Sequence, residues 1–97
     1  MLSILIPIYQ ENCVNLVNDL QSQAKDLGCE WEILVFDDCS PIKCKENKSI
    51  TQFTNVEYRE LSENLGRSRI RNLLADTAKG DVLLFLDGDS GISENTS

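Results

Sequence analysis

Residues 82–89 read VLLFLDGD, five apolar residues that stop abruptly on two carboxylates, Asp87 and Asp89, with Gly88 between them. A continuous apolar run of this length, bounded by Gly80-Asp81 on one side and Gly88 on the other, predicts a strand buried on both faces of a parallel sheet. Its carboxyl end then surfaces at Asp87. In open α/β sheets ligands sit outside the carboxyl ends of the strands, so the acidic pair falls where a ligand is expected. Two carboxylates flanking a residue without a side chain can converge on one divalent cation, and Gly88 lets a ligand approach the backbone closely. The competing reading is a plain Asp-Gly turn, which leaves the rest of the chain unexplained.

Two further apolar runs end in the same manner. Residues 3–9, SILIPIY, form a first strand rich in isoleucine and lead into Gln10-Glu11-Asn12. Pro7 has no N–H for a ladder, which is tolerable only near the end of a central strand. Residues 31–36, WEILVF, form a second strand that runs into Asp37 and Asp38, with Ser40-Pro41 marking a loop.

Helices are expected between the strands. Asn12 suits an N-cap, and Cys13, Leu16, Val17, Leu20, Ala24 and Leu27 then recur at spacings of three and four, with Gly28 as the stop. Residues 42–53 are polar and lysine-rich, with weak helical spacing at Ile50 and Phe53, and residues 56–61 (VEYREL) alternate as an edge strand. Gly66 closes a loop into a helix over residues 67–78, with Ile70, Leu73, Leu74 and Thr77 toward the sheet and Gly80 as its cap. The order β-α-β-(α)-β-α-β with short connections requires a parallel sheet. The expected architecture is an α/β, Rossmann-like parallel sheet of order 3-2-1-4 with flanking helices. In that order the ends of the first, second and fourth strands share one edge.

Composition narrows the function. The 97 residues allow one small domain, and a formal charge of -7, from 16 acidic against 9 basic residues, argues against a nucleic-acid partner. No apolar run approaches the roughly 18 residues of a membrane span. The amino terminus lacks the basic segment and cleavage site of a signal peptide, so a cytoplasmic location is expected. Cys13, Cys29, Cys39 and Cys44 contain no C-x-x-C pair and histidine is absent, so reduced thiols are expected rather than a zinc site. Cys39 and Cys44 flank Pro41 closely enough to pair under oxidation.

At these residues the chain resembles the nucleotide-sugar-binding half of glycosyltransferase family 2, whose members have the GT-A fold. The family pattern of an apolar strand with proline and an aromatic before Asn-Glu is matched by ILIPIYQEN, and Asp-Asp-x-Ser by Asp37-Asp38-Cys39-Ser40. Asn-x-Gly followed by Arg-Asn is matched by Asn64-Leu65-Gly66 and Arg71-Asn72, and the final Asp-x-Asp strand by FLDGD. Each motif alone is weak. Four in order across nearly the whole chain make a specific match.

The resemblance implies a binding site for a nucleotide-diphospho-sugar, UDP-sugar favoured, formed by Pro7, Tyr9, Glu11, Asp38, Arg71 and Asp87. Asp38 would accept from the ring N–H of a uracil-like base, and Tyr9 would lie along that base in a pocket shaped by Pro7. Arg71 would meet a base carbonyl or a phosphate, with Arg67 one turn earlier on the same face. Asp87 and Asp89 would hold Mg²⁺ or Mn²⁺ with the diphosphate oxygens. Plain alternatives stand beside these roles: a half-buried aromatic at Tyr9, a cap or a solvated acid at Asp37, and an ion pair of Arg71 with Glu63 or Asp76.

The chain departs from the family at Ser90, where many members carry a further acid, and it has no counterpart of the acceptor-binding half. Residues 1–97 are thus expected to be a single incomplete domain, truncated after Asp-x-Asp. An inverting transfer needs a base to deprotonate the acceptor hydroxyl. That base is expected beyond Ser97, so the fragment alone should be inactive toward its unknown glycan or lipid acceptor, and its bare edges should favour self-association. The competing functions are a receiver-like Mg²⁺-binding signalling domain and a metal-dependent nucleotidyltransferase. The first wants its acidic pair after strand one and a late lysine. The second wants a glycine- and basic-rich loop where Gln10-Glu11-Asn12 stands.

Overall fold

Apolar side chains at positions 4, 5, 6 and 8 demand cover on both faces, and the strand that carries them, β1 (Leu2–Ile8), takes an inner place in the sheet. The structure is a computed structural model in which residues 1–9, 12–40 and 45–86 are described. Beyond β1 it contains α1 (Val14–Lys25), β2 (Trp31–Asp37), a 3₁₀ helix (Lys45–Gln52), β3 (Val56–Glu60), α2 (Arg67–Thr77) and β4 (Val82–Phe85). All three pairings are parallel and the order is β3-β2-β1-β4, as expected from the sequence.

Side chains alternate across a strand, so each inner strand feeds two cores. Ile4, Ile6 and Ile8 of β1, with Ile33 and Val35 of β2, meet Cys13, Val17 and Ala24 from the α1 side and Ile50 from the 3₁₀ helix. On the opposite face Leu5, Leu34 and Phe36 pack against Ile70 and Leu74 of α2. Burying one such side chain contributes about 1.5–3 kcal/mol. Two anchors per helix therefore outweigh the small propensity differences within α2.

Several local expectations shift. Asn12 does cap α1, its Oδ1 accepting the Val14 N–H at 3.0 Å, but the residue in the N-cap position is Cys13, whose own N–H donates to Asn47 Oδ1 at 2.9 Å. The segment of weak helical spacing forms a 3₁₀ helix, held by buried Ile50 and Asn47. Gly80 does not cap α2, which closes at Ala78. Its lack of a side chain serves a close approach instead, since a Cβ there would press on the Met1 carbonyl and lie 2.5 Å from Ser3 Oγ.

The larger correction concerns β4. It was expected to be buried on both faces, yet it is an edge strand bonded to β1 alone, with Val82, Leu83 and Leu84 exposed by 57%, 40% and 42%. Apolar sequence signals what a strand needs, and among the described residues nothing lies along the outer side of β4. Leu86 N–H donates to the Leu5 carbonyl at 3.0 Å, and Pro7, two residues on in β1, has no N–H to offer a ladder.

Candidate functional site

The carboxyl ends of β1, β2 and β4 lie side by side, and the turn at the end of β2 organises them. Asp37 and Asp38 are both buried, at 2% and 7% exposure. A buried carboxylate must find donors. Asp37 takes the Ser40 backbone N–H at 3.1 Å on one oxygen and the Ser40 hydroxyl on the other. This closes residues 37–40 into a turn in which Cys39 adopts a left-handed φ of 59°. Asp37 thus ties a turn, where a helix cap or a solvated acid were the plain alternatives weighed for it.

Asp38 reaches across to α2. Its Oδ1 accepts the Leu65 N–H at 2.7 Å, its Oδ2 accepts the Gly66 N–H at 3.0 Å, and its carbonyl accepts Asn64 Nδ2 at 2.9 Å. Gly66, at φ 85°, turns the chain into α2 through a conformation that side chains resist. The loop role expected for Asn64 and Gly66 is therefore a bonded joint between β2 and α2. Each carboxylate oxygen has two acceptor positions, so Asp38 keeps acceptor capacity beyond the two N–H groups that orient it.

Arg71 lies on the second turn of α2, exposed, with its guanidinium over the Phe85 ring at 4.7 Å from the centroid. Among the described residues it forms no ion pair with Glu63 or Asp76, the plain alternative weighed for it. Pro7 is half-buried at the end of β1, and Tyr9 just beyond it is 46% exposed. The fold thus brings Pro7, Tyr9, Asp38 and Arg71 to one sheet edge. Glu11, Asp87 and Asp89 lie outside the described residues, as does Cys44, the proposed partner of Cys39. Among the described residues Cys13, Cys29 and Cys39 form no disulfide.

Sequence reasoning missed two contributors at this edge. Ser40 carried a signal in the Asp-x-x-Ser spacing, which places a hydroxyl and an N–H within reach of the carboxylate three residues back. Phe85 carried none, because an aromatic inside an apolar strand reads as core. Among the described residues no cluster of three or more acids, cysteines or histidines could hold a metal ion. The oxygens of Asp37 and Asp38 already serve backbone and hydroxyl donors. Asp87 and Asp89, which the sequence offers for an ion, are hard oxygen donors of the kind Mg²⁺ and Mn²⁺ take and lie outside the described residues.

A parallel sheet with an acid-capped second strand and a bonded turn into α2 invites comparison with known proteins. The sequence model of Glycosyl transferase family 2 matches residues 3–96. The chain belongs to glycosyl transferase family 2. An uncharacterized glycosyltransferase of Haemophilus influenzae is 35% identical over 89 residues, covering 92% of this chain and 29% of that protein. TarS of S. aureus resembles the structure with a TM-score of 0.72 at 27% identity, over 91% of this chain and 16% of TarS. TarS 1–349 in complex with UDP gives a TM-score of 0.68 at 28% identity. Its complex with UDP-GlcNAc gives 0.68 at 27%. Each covers 91% of this chain and about a quarter of the other. The fold is accordingly the Rossmann-like part of a GT-A domain, and the receiver-like and nucleotidyltransferase readings give way. The family 2 chain spans less than a third of the length of each of these relatives.

Proposed function

We propose that this chain is the donor-binding portion of an inverting, metal-dependent glycosyltransferase that takes a nucleotide-diphospho-sugar, a UDP-sugar by preference. One observation carries the reading most: Asp38, buried at the sheet edge, is oriented by the N–H groups of Leu65 and Gly66 while retaining acceptor positions for a base N–H. Support for uridine comes from TarS, solved with UDP and with UDP-GlcNAc.

In this reading Pro7 and Tyr9 shape the base pocket, Glu11 and Asp87 complete the nucleotide contacts, and Arg71 meets a phosphate or base carbonyl. Asp87 and Asp89 hold Mg²⁺ or Mn²⁺. That ion supplies charge neutralisation for the departing nucleoside diphosphate. The protein's own residues do the rest of the donor side, since they bind, orient and keep the base in register with the diphosphate. The base that deprotonates the acceptor belongs to the acceptor-binding part of the enzyme, which acts on a glycan or lipid. Among the described residues no helix is long and apolar enough to cross a membrane, and we place the reaction on the cytoplasmic side.

Isothermal titration with UDP tests the proposal. Binding should tighten when Mn²⁺ is added, and Asp89→Ala should remove the metal-dependent gain while leaving metal-free binding in place. Binding that is indifferent to Mn²⁺ in both proteins would defeat the metal assignment, and no binding by the unsubstituted protein would defeat the donor-site assignment.

A further inference from the structure

The strand that leads into Asp-x-Asp also carries Phe85, whose ring lies beneath the guanidinium of Arg71 at 4.7 Å. We propose that Phe85 is a positioning residue for nucleotide binding: its ring holds Arg71 at the carboxyl edge with the positive charge unneutralised, ready for an anionic or carbonyl oxygen of the nucleotide. This rests on the donor-site reading above and extends it to a residue with no polar atom of its own.

The physical argument is one of alternatives. An exposed arginine on a helix beside acids usually settles into an ion pair, which fixes the side chain and cancels its field. Glu63 and Asp76 are near in sequence on this strongly acidic chain, yet Arg71 pairs with neither and lies on an aromatic face instead. A ring orients a guanidinium through its quadrupole and supplies no counter-charge. The ring is itself fixed. Phe85 packs on the cluster of Leu5, Leu34, Phe36, Ile70 and Leu74, and β1 holds it in register opposite Leu5, with Leu86 N–H bonded to the Leu5 carbonyl. Phe85 stands two residues before Asp87. The contact therefore ties the arginine of α2 to the strand that leads in sequence into the acidic pair.

The test is UDP titration at fixed Mn²⁺ on the unsubstituted protein, Phe85→Leu, Phe85→Tyr, Arg71→Ala and the double variant Arg71→Ala/Phe85→Leu, with thermal melts of each. Phe85→Leu keeps apolar volume in the cluster and should weaken UDP binding by about two- to fivefold, the range of an exposed cation–π contact. Phe85→Tyr keeps the ring and should bind as the unsubstituted protein does. Arg71→Ala should cost at least as much as Phe85→Leu, and adding Phe85→Leu to it should cost nothing more. A merely structural Phe85 would instead lower the melting temperature and weaken binding equally with or without Arg71, and that additivity overturns the proposal. So does a Phe85→Leu protein that binds UDP normally while Arg71→Ala does not. If the unsubstituted protein fails to bind UDP, or Arg71→Ala leaves binding unchanged, the donor-site reading itself falls and takes this inference with it.

Discussion

Asp38 shows how one side chain can join two distant parts of a fold. Its carboxylate holds the Leu65 and Gly66 N–H groups, and those two bonds shape the only described connection from β3 into α2. In Asp38→Asn one acceptor oxygen becomes an NH₂ that faces an N–H donor, so a backbone group at a part-buried position loses its partner. The expected cost is about 1–3 kcal/mol of stability, read as a lower midpoint in urea. An Asp38→Asn protein as stable as the parent would mean that the joint is not needed. The sequence singled out Asp38 as a candidate through the Asp-Asp-x-Ser motif at the end of a strand. It could not reveal the bonds to residues 65 and 66, since these lie 27 and 28 positions away and depend on α2 docking beside β2.

Among the elements, β4 is where pattern and environment part. Five apolar residues in a row identify a strand correctly and say nothing about what covers it. Among the described residues β4 presents an open edge and three exposed apolar side chains, with no proline, lysine or bulge within Val82–Phe85 to discourage pairing. Such an edge recruits another strand. The 97-residue chain is expected to self-associate with rising concentration, and Leu84→Lys, which puts a charge on the exposed strand, should shift it toward monomer in light scattering behind size-exclusion chromatography. A parent chain that is monomeric at every concentration would refute this. The helices were easier to read. The apolar stripes of α1 and α2 face the two cores as their spacing requires, while the 3₁₀ helix was faint because only Ile50 and Asn47 anchor it.

At the scale of the whole molecule, the described fold brings Pro7, Tyr9, Asp38 and Arg71 to one edge of the sheet and contains a single layer of helix on each face. The chain covers 29% or less of the relatives compared with it. The expected behaviour is therefore binding without turnover: UDP and Mn²⁺ bind, and a UDP-sugar incubated with this chain alone is neither transferred nor hydrolysed above background. Release of UDP in a coupled assay would overturn that expectation. What the sequence determined by itself was the alternation of strands and helices, the parallel sheet and the family, because hydrophobic period, chain direction and short motifs are local properties that need no partner to be read. Tertiary structure alone decided that Asp38 bonds the turn into α2, that Arg71 meets Phe85 rather than Glu63 or Asp76, and that β4 is the edge strand among the described residues. Each of these depends on which surfaces meet after the chain has folded, and contact between residues distant in sequence leaves no mark on the residues taken one at a time.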